Sequence, residues 1–119
     1  MSFPENDAVF VINKLVESIP QEAFNPYYSQ RDPSSYHPKM MLKIMLYSYA
    51  NSVFSGRGIE HLLKDSCRMM WLAQGQTPTY RTINCFRVNP HMMEFLHILF
   101  VGLRAQLLEY KLIAEDVII

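Results

Sequence analysis

The run from Met40 to Phe54 limits what this chain can fold into more than any other stretch. Met40, Met41, Leu42, Ile44, Met45, Leu46, Tyr47, Tyr49, Ala50, Val53 and Phe54 are apolar or aromatic. At about 100° per residue they cover almost the whole circumference of a helix instead of one stripe. A helix apolar all round is either wrapped by protein or spans a membrane. Lys39, Lys43, Ser48, Asn51 and Ser52 interrupt the run, and a span needs about 20 mostly apolar residues. The sequence therefore predicts a central core helix with other helices around it, and no membrane partner.

The ends of that helix are marked. Pro38 suits a first helical turn, where its missing N–H has no partner to lose, and Pro33 keeps the approach extended. Ser55-Gly56-Arg57-Gly58 stops the helix and offers a serine cap to the next one. Upstream, Asp7 caps a helix to about Ser18, with Val9, Ile12, Val16 and Ile19 as its stripe. A short turn, Gln21 to Phe24, leads into a loop from Asn25 to His37, whose aromatics Tyr27, Tyr28 and Tyr36 are expected to pin it to the core. Downstream, the pattern predicts helices over Gly58–Asp65, Ser66–Ala73, Tyr80–Val88 behind a Thr79 cap, and Pro90 to about Lys111 behind an Asn89 cap. Val117, Ile118 and Ile119 look like the start of a strand.

The expected architecture is all-α: one domain over 1–119, a bundle of five to six helices with a helix-turn-helix-like pair, and a short vestigial C-terminal strand. Length and composition agree, since 119 residues with 50% hydrophobic and 18% charged side chains can bury a core. Cys67 and Cys85 have no CxxC spacing and read as free thiols. With no charged and apolar leader at the N-terminus, the expected location is the cytoplasm.

Charge separates the candidate surfaces. The chain has eleven basic and eleven acidic residues, but 55–88 holds five basic against two acidic. A nucleic-acid surface belongs there. On a wheel of Tyr80–Val88, the residues Tyr80, Ile83 and Phe86 face inward, Arg81, Cys85 and Val88 face outward, and Thr82 and Asn84 flank them. Arg suits guanine edges or phosphate and Asn suits adenine edges, while Arg57, Lys64 and Arg68 suit phosphates. With Thr79 and Arg87, these make the candidate DNA-binding set: Arg57, Lys64, Arg68, Thr79, Arg81, Thr82, Asn84 and Arg87. The bland alternative is a solvated helix face with ordinary ion pairs.

Other chemistry finds little support. His91, Glu94 and His97 recur every third residue and drift around their helix, so they do not stack as metal ligands. The adjacent pair Glu115-Asp116 diverges in a helix or a strand and makes no two-metal site. No metal, cofactor or small-molecule substrate is expected.

The order of these pieces resembles a known family. YHPKMMLKIMLYSYANSVFSGRGIE (Tyr36–Glu60), then RMMWLAQGQTPTYRTINCFR (Arg68–Arg87), then a long apolar helix and LIAEDVII, is similar to the N-terminal region of bacterial DDE-type insertion-sequence transposases. Tyr36, His37, Pro38, Lys43, Ser55, Arg57, Glu60, Trp71, Gly75, Pro78, Arg81, Asn84, Phe86 and Arg87 are among the residues that carry it, and it spans about residues 8 to 119. The resemblance implies a non-catalytic domain, truncated before a ribonuclease-H-like catalytic domain that would follow Ile119. It also implies double-stranded DNA, the terminal inverted repeats of the element, as partner. The alternatives are a protein-interaction or dimerisation module of a transposase, or an inactive truncated remnant. For a homodimer, Leu99, Leu103 and Leu107 are the expected contacts.

Overall fold

A computed structural model describes residues 7–25 and 36–109, the last three as backbone only. Six α-helices occur among them: α1 (Ala8–Glu17), α2 (Pro38–Ala50), α3 (Gly56–Asp65), α4 (Cys67–Leu72), α5 (Tyr80–Arg87) and α6 (Pro90–Glu109). A 3-10 turn, Gln21–Phe24, follows α1. Every regular element among the described residues is helical, as the apolar periodicity predicts. The strand expected at Val117–Ile119, the loop aromatics Tyr27 and Tyr28, and the Leu107 side chain lie outside the described residues.

The central helix is where the sequence puts it. Along α2, Pro38, every residue from Met40 to Leu46, Ser48 and Ala50 are buried, and α1, α3, α4 and α6 all pack against it. Each fully buried Leu, Ile or Met here contributes about 1.5–3 kcal/mol before chain entropy is counted. The two buried polar side chains are satisfied. Ser48 Oγ donates to the Ile44 carbonyl at 2.8 Å, and Lys43 Nζ reaches Glu17 at 3.3 Å.

α2 ends at Ala50, four residues before the apolar run does. Ser52 takes a left-handed φ of 63°, Val53 N–H returns to the Ser48 carbonyl at 2.8 Å, and Ser52 N–H returns to Tyr49 at 3.0 Å. This closure satisfies the last carbonyls of the helix. α4 closes in the same way: Gln74 sits at φ 53°, with Gly75 N–H on Met70 and Gln74 N–H on Trp71.

α1 is fastened at its start. Asp7 Oδ1 caps it by accepting from Val9 N–H at 3.0 Å, and the same carboxylate takes two prongs of Arg68 from α4, the shorter at 2.6 Å. The Arg68 hydrogen bonds outweigh the effect of burial and hold the Asp7 carboxyl below its ordinary range. At the other end of α1, burial pushes Glu17 up, but Lys43 and then Lys39 outweigh it, and the carboxyl also ends below its ordinary value.

α6 buries Met92, Leu96, Leu99 and Leu103, a stripe at helical spacing that meets α1 and α2. This corrects the expectation for Leu99 and Leu103, which are core and not available to a second copy. Among the described side chains of α6, the large apolar residues left exposed are Met93, Ile98 and Val101.

Candidate nucleic-acid interface

α5 is placed by two anchors and a close approach. Ile83 and Phe86 enter the core beside Ile59 and Leu63 of α3, and the two helices pack directly on each other. Gly56, at the start of α3, lets them come close: a Cβ there would stand 2.6 Å from Asn84 Oδ1. The segment joining the pair is occupied by α4. Ser66 serves both of its neighbours, ending α3 through its N–H to Leu62 and capping α4 by accepting from Met69 N–H. The pair the sequence suggests is therefore the outer part of a three-helix unit.

The caps also hold. Ser55 Oγ accepts from Gly58 N–H at 3.0 Å and Thr79 Oγ1 from Thr82 N–H at 3.4 Å. The Thr79 and Thr82 hydroxyls are 3.3 Å apart. Sequence reading starts α3 at Gly58; with Ser55 as its cap, the helix begins at Gly56.

The eight candidate residues divide by what they touch. Arg57, Lys64, Thr79 and Arg81 are exposed, and Thr82 is half-buried. Lys64 makes a loose pair with Glu60 at 3.6 Å on its own helix, an arrangement that water screens strongly. Arg68 lies apart, with its guanidinium on Asp7. Asn84 and Arg87 hold each other: Arg87 Nη2 donates to Asn84 Oδ1 at 2.6 Å. Arg87 Nη1 reaches the Tyr49 hydroxyl at 3.4 Å and the Phe54 carbonyl. Arg87 thus ties the end of α5 to the exit of α2, and Asn84 is turned toward α3.

Tyr80 has a role that the helical wheel does not suggest. Its ring is half-buried, with the Arg57 guanidinium stacked 4.3 Å from its centroid and that of Arg81 at 5.8 Å. Both arginines donate to its hydroxyl oxygen at 3.3 Å. Arg57 lies 23 positions before Tyr80, so no local pattern could have paired them. On the outer face, Cys85 is a free, exposed thiol and Val88 is 72% exposed.

A second feature adjoins this surface. Tyr49, Val88, Met93, Leu96 and Phe100 line a mostly apolar groove of about 430 Å³ at the corner between α5 and α6. Among the described residues, no three His, Cys, Asp or Glu side chains gather closely enough to hold a metal ion, and no helix is long and apolar enough to cross a membrane.

The sequence profile of the family described as transposase domain (DUF772) matches residues 1–89. The chain belongs to this transposase domain family. The matched stretch runs through the whole of α5 and stops just before α6, so the three-helix unit lies inside the family's own region. No curated protein and no solved structure matches the chain. The role of the transposase domain is transposase-related, and its basic surface belongs to the family portion of the chain.

Proposed function

We propose that this transposase domain binds double-stranded DNA at the terminal inverted repeats of its element, with α5 entering the major groove, and that it does no chemistry itself. Residues 1–119 act as one domain in this reading, in the cytoplasm. The observation that supports it is the outward face of α5. Arg81 stands exposed at the first turn with no carboxylate within ion-pair distance among the described residues, while Ile83 and Phe86 anchor the opposite face. A groove-entering helix needs a short outward set near its N-terminal half. Arg57, Lys64, Thr79, Arg81 and Thr82 form the contact set, with Arg81 donating to a base edge or a phosphate. Arg68, Asn84 and Arg87 serve by holding α4 and α5 in place.

The test is a fluorescence-anisotropy titration with duplexes carrying the repeats that flank the reading frame and with scrambled duplexes. Tighter binding to the repeats supports the reading. Absence of binding to either at low salt, by a folded protein, rules it out.

One observation favours a second reading, a protein-interaction module. Met93, Ile98 and Val101 are each more than half exposed along α6, and apolar side chains gathered on one surface mark contact sites. Mass that rises with concentration, together with no retention on DNA, would select it.

A further inference from the structure

We propose that Arg57, Tyr80 and Arg81 together clamp one backbone phosphate of the bound DNA, so that the first turn of α5 anchors the helix and does not read bases. The inference rests on the DNA-binding reading above and goes one step past it, to the chemistry of a single contact.

These two arginines differ from the other basic residues of 55–88, which are tied to protein partners. Arg68 is satisfied by Asp7, Lys39 and Lys43 by Glu17, and Lys64 meets Glu60. Arg57 and Arg81 share a neutral phenol instead. Two guanidinium groups held to one oxygen repel each other, and an anion placed between them relieves that repulsion.

The hydrogen-bond inventory points the same way. The Tyr80 oxygen accepts from both arginines, which leaves its own proton to donate outward. Each guanidinium has five N–H donors and spends one on the phenol. What remains is a surface of donors only, matched to an acceptor with several oxygens. A guanine edge is satisfied by one guanidinium fork, whereas two converging forks suit a phosphate. Stacking on Tyr80 also fixes the plane of Arg57 before any ligand arrives. The first turns of α3 and α5 carry no acidic residue, and the nearest carboxylate along α3, Glu60, is engaged by Lys64.

The experiment measures the affinity and salt dependence of the 119-residue chain for three short duplexes of equal length, one AT-rich, one GC-rich and one mixed. Arg57→Ala and Arg81→Ala are each expected to weaken all three by the same factor, about tenfold. Each alone should lower the slope of log K against log salt by less than about one, because the other arginine still neutralises the phosphate. The double variant loses that single phosphate and is expected to lower the slope by about one, not two. Tyr80→Phe keeps the ring but removes the shared oxygen, and should weaken all three duplexes uniformly by a smaller factor. Arg57→Lys and Arg81→Lys should restore the slope without the full affinity. Thermal midpoints recorded alongside should not move, because both arginines are exposed.

An effect of Arg81→Ala that differs among the duplexes would make Arg81 a base reader and overturn the clamp, with DNA binding intact. So would a slope lowered by two in the double variant, or arginine variants or a Tyr80→Phe variant that bind as tightly as the parent. If the parent binds none of the duplexes, the DNA-binding reading falls and the clamp falls with it.

Discussion

Arg81 and Arg87 are one residue type on one short helix, yet their surroundings give them opposite work. Arg81 leans on a phenol at the surface, whereas Arg87 satisfies the Asn84 amide oxygen and the Phe54 carbonyl. Removing Arg87 strands acceptors that are partly shielded from water, so Arg87→Ala should cost about 2 kcal/mol, read as a lower midpoint in urea. Arg81→Ala should stay within about 0.5 kcal/mol of the parent. Asp7 supplies a second contrast at this scale. Its folded carboxyl sits below the ordinary range because Arg68 donates to it, so the ionised form is favoured in the folded state. The resulting stabilisation is present above the unfolded value, near about pH 4, and is lost as pH falls through the folded value. Asp7→Asn keeps a cap but not the ion pair. It should cost about 1–2 kcal/mol at neutral pH, and the denaturation curves of variant and parent should converge in acid.

Elements end where backbone chemistry stops them, and α2 shows the difference between that and hydrophobicity. The apolar run continues to Phe54, but the helix closes at Ala50 with Ser52 in the left-handed region. That conformation costs a residue bearing a Cβ about 1 kcal/mol relative to glycine. Ser52→Gly is therefore expected to stabilise the fold by up to about 1 kcal/mol, seen as a higher thermal midpoint with no change in helicity. Most of the element order was legible beforehand: the Asp7, Ser55 and Thr79 caps, the all-round burial of α2, and the inward Ile83 and Phe86 all follow from spacing and side-chain chemistry. The stop at Ser52 was not, because a serine in that conformation looks like any serine in a helix until the returning N–H groups are seen. Nor was the burial of Leu99 and Leu103. α6 is apolar on several sides, and only the packing of α1 and α2 decides which stripe is core.

Over the whole molecule, a chain with balanced charge carries two surface guanidinium groups on one phenol at the first turns of α3 and α5, while Met93, Ile98 and Val101 lie exposed on α6. The basic excess of 55–88 could be counted in advance, but its distribution could not. Arg68 is drawn away by Asp7, 61 positions earlier, and Arg57 is brought to Tyr80, 23 positions later. Sequence proximity therefore made eight candidates look alike where folding separates those tied to other elements from those left exposed. The account predicts that the two surfaces respond differently to DNA. The direct measurement is amide chemical-shift mapping by NMR as duplex DNA is added to the isotope-labelled chain. Shifts should concentrate on the first turns of α3 and α5, around Arg57 and from Thr79 to Cys85, and leave Met93, Ile98 and Val101 of α6 unmoved. Shifts confined to α6, or none at all while the spectrum remains that of a folded protein, would contradict it.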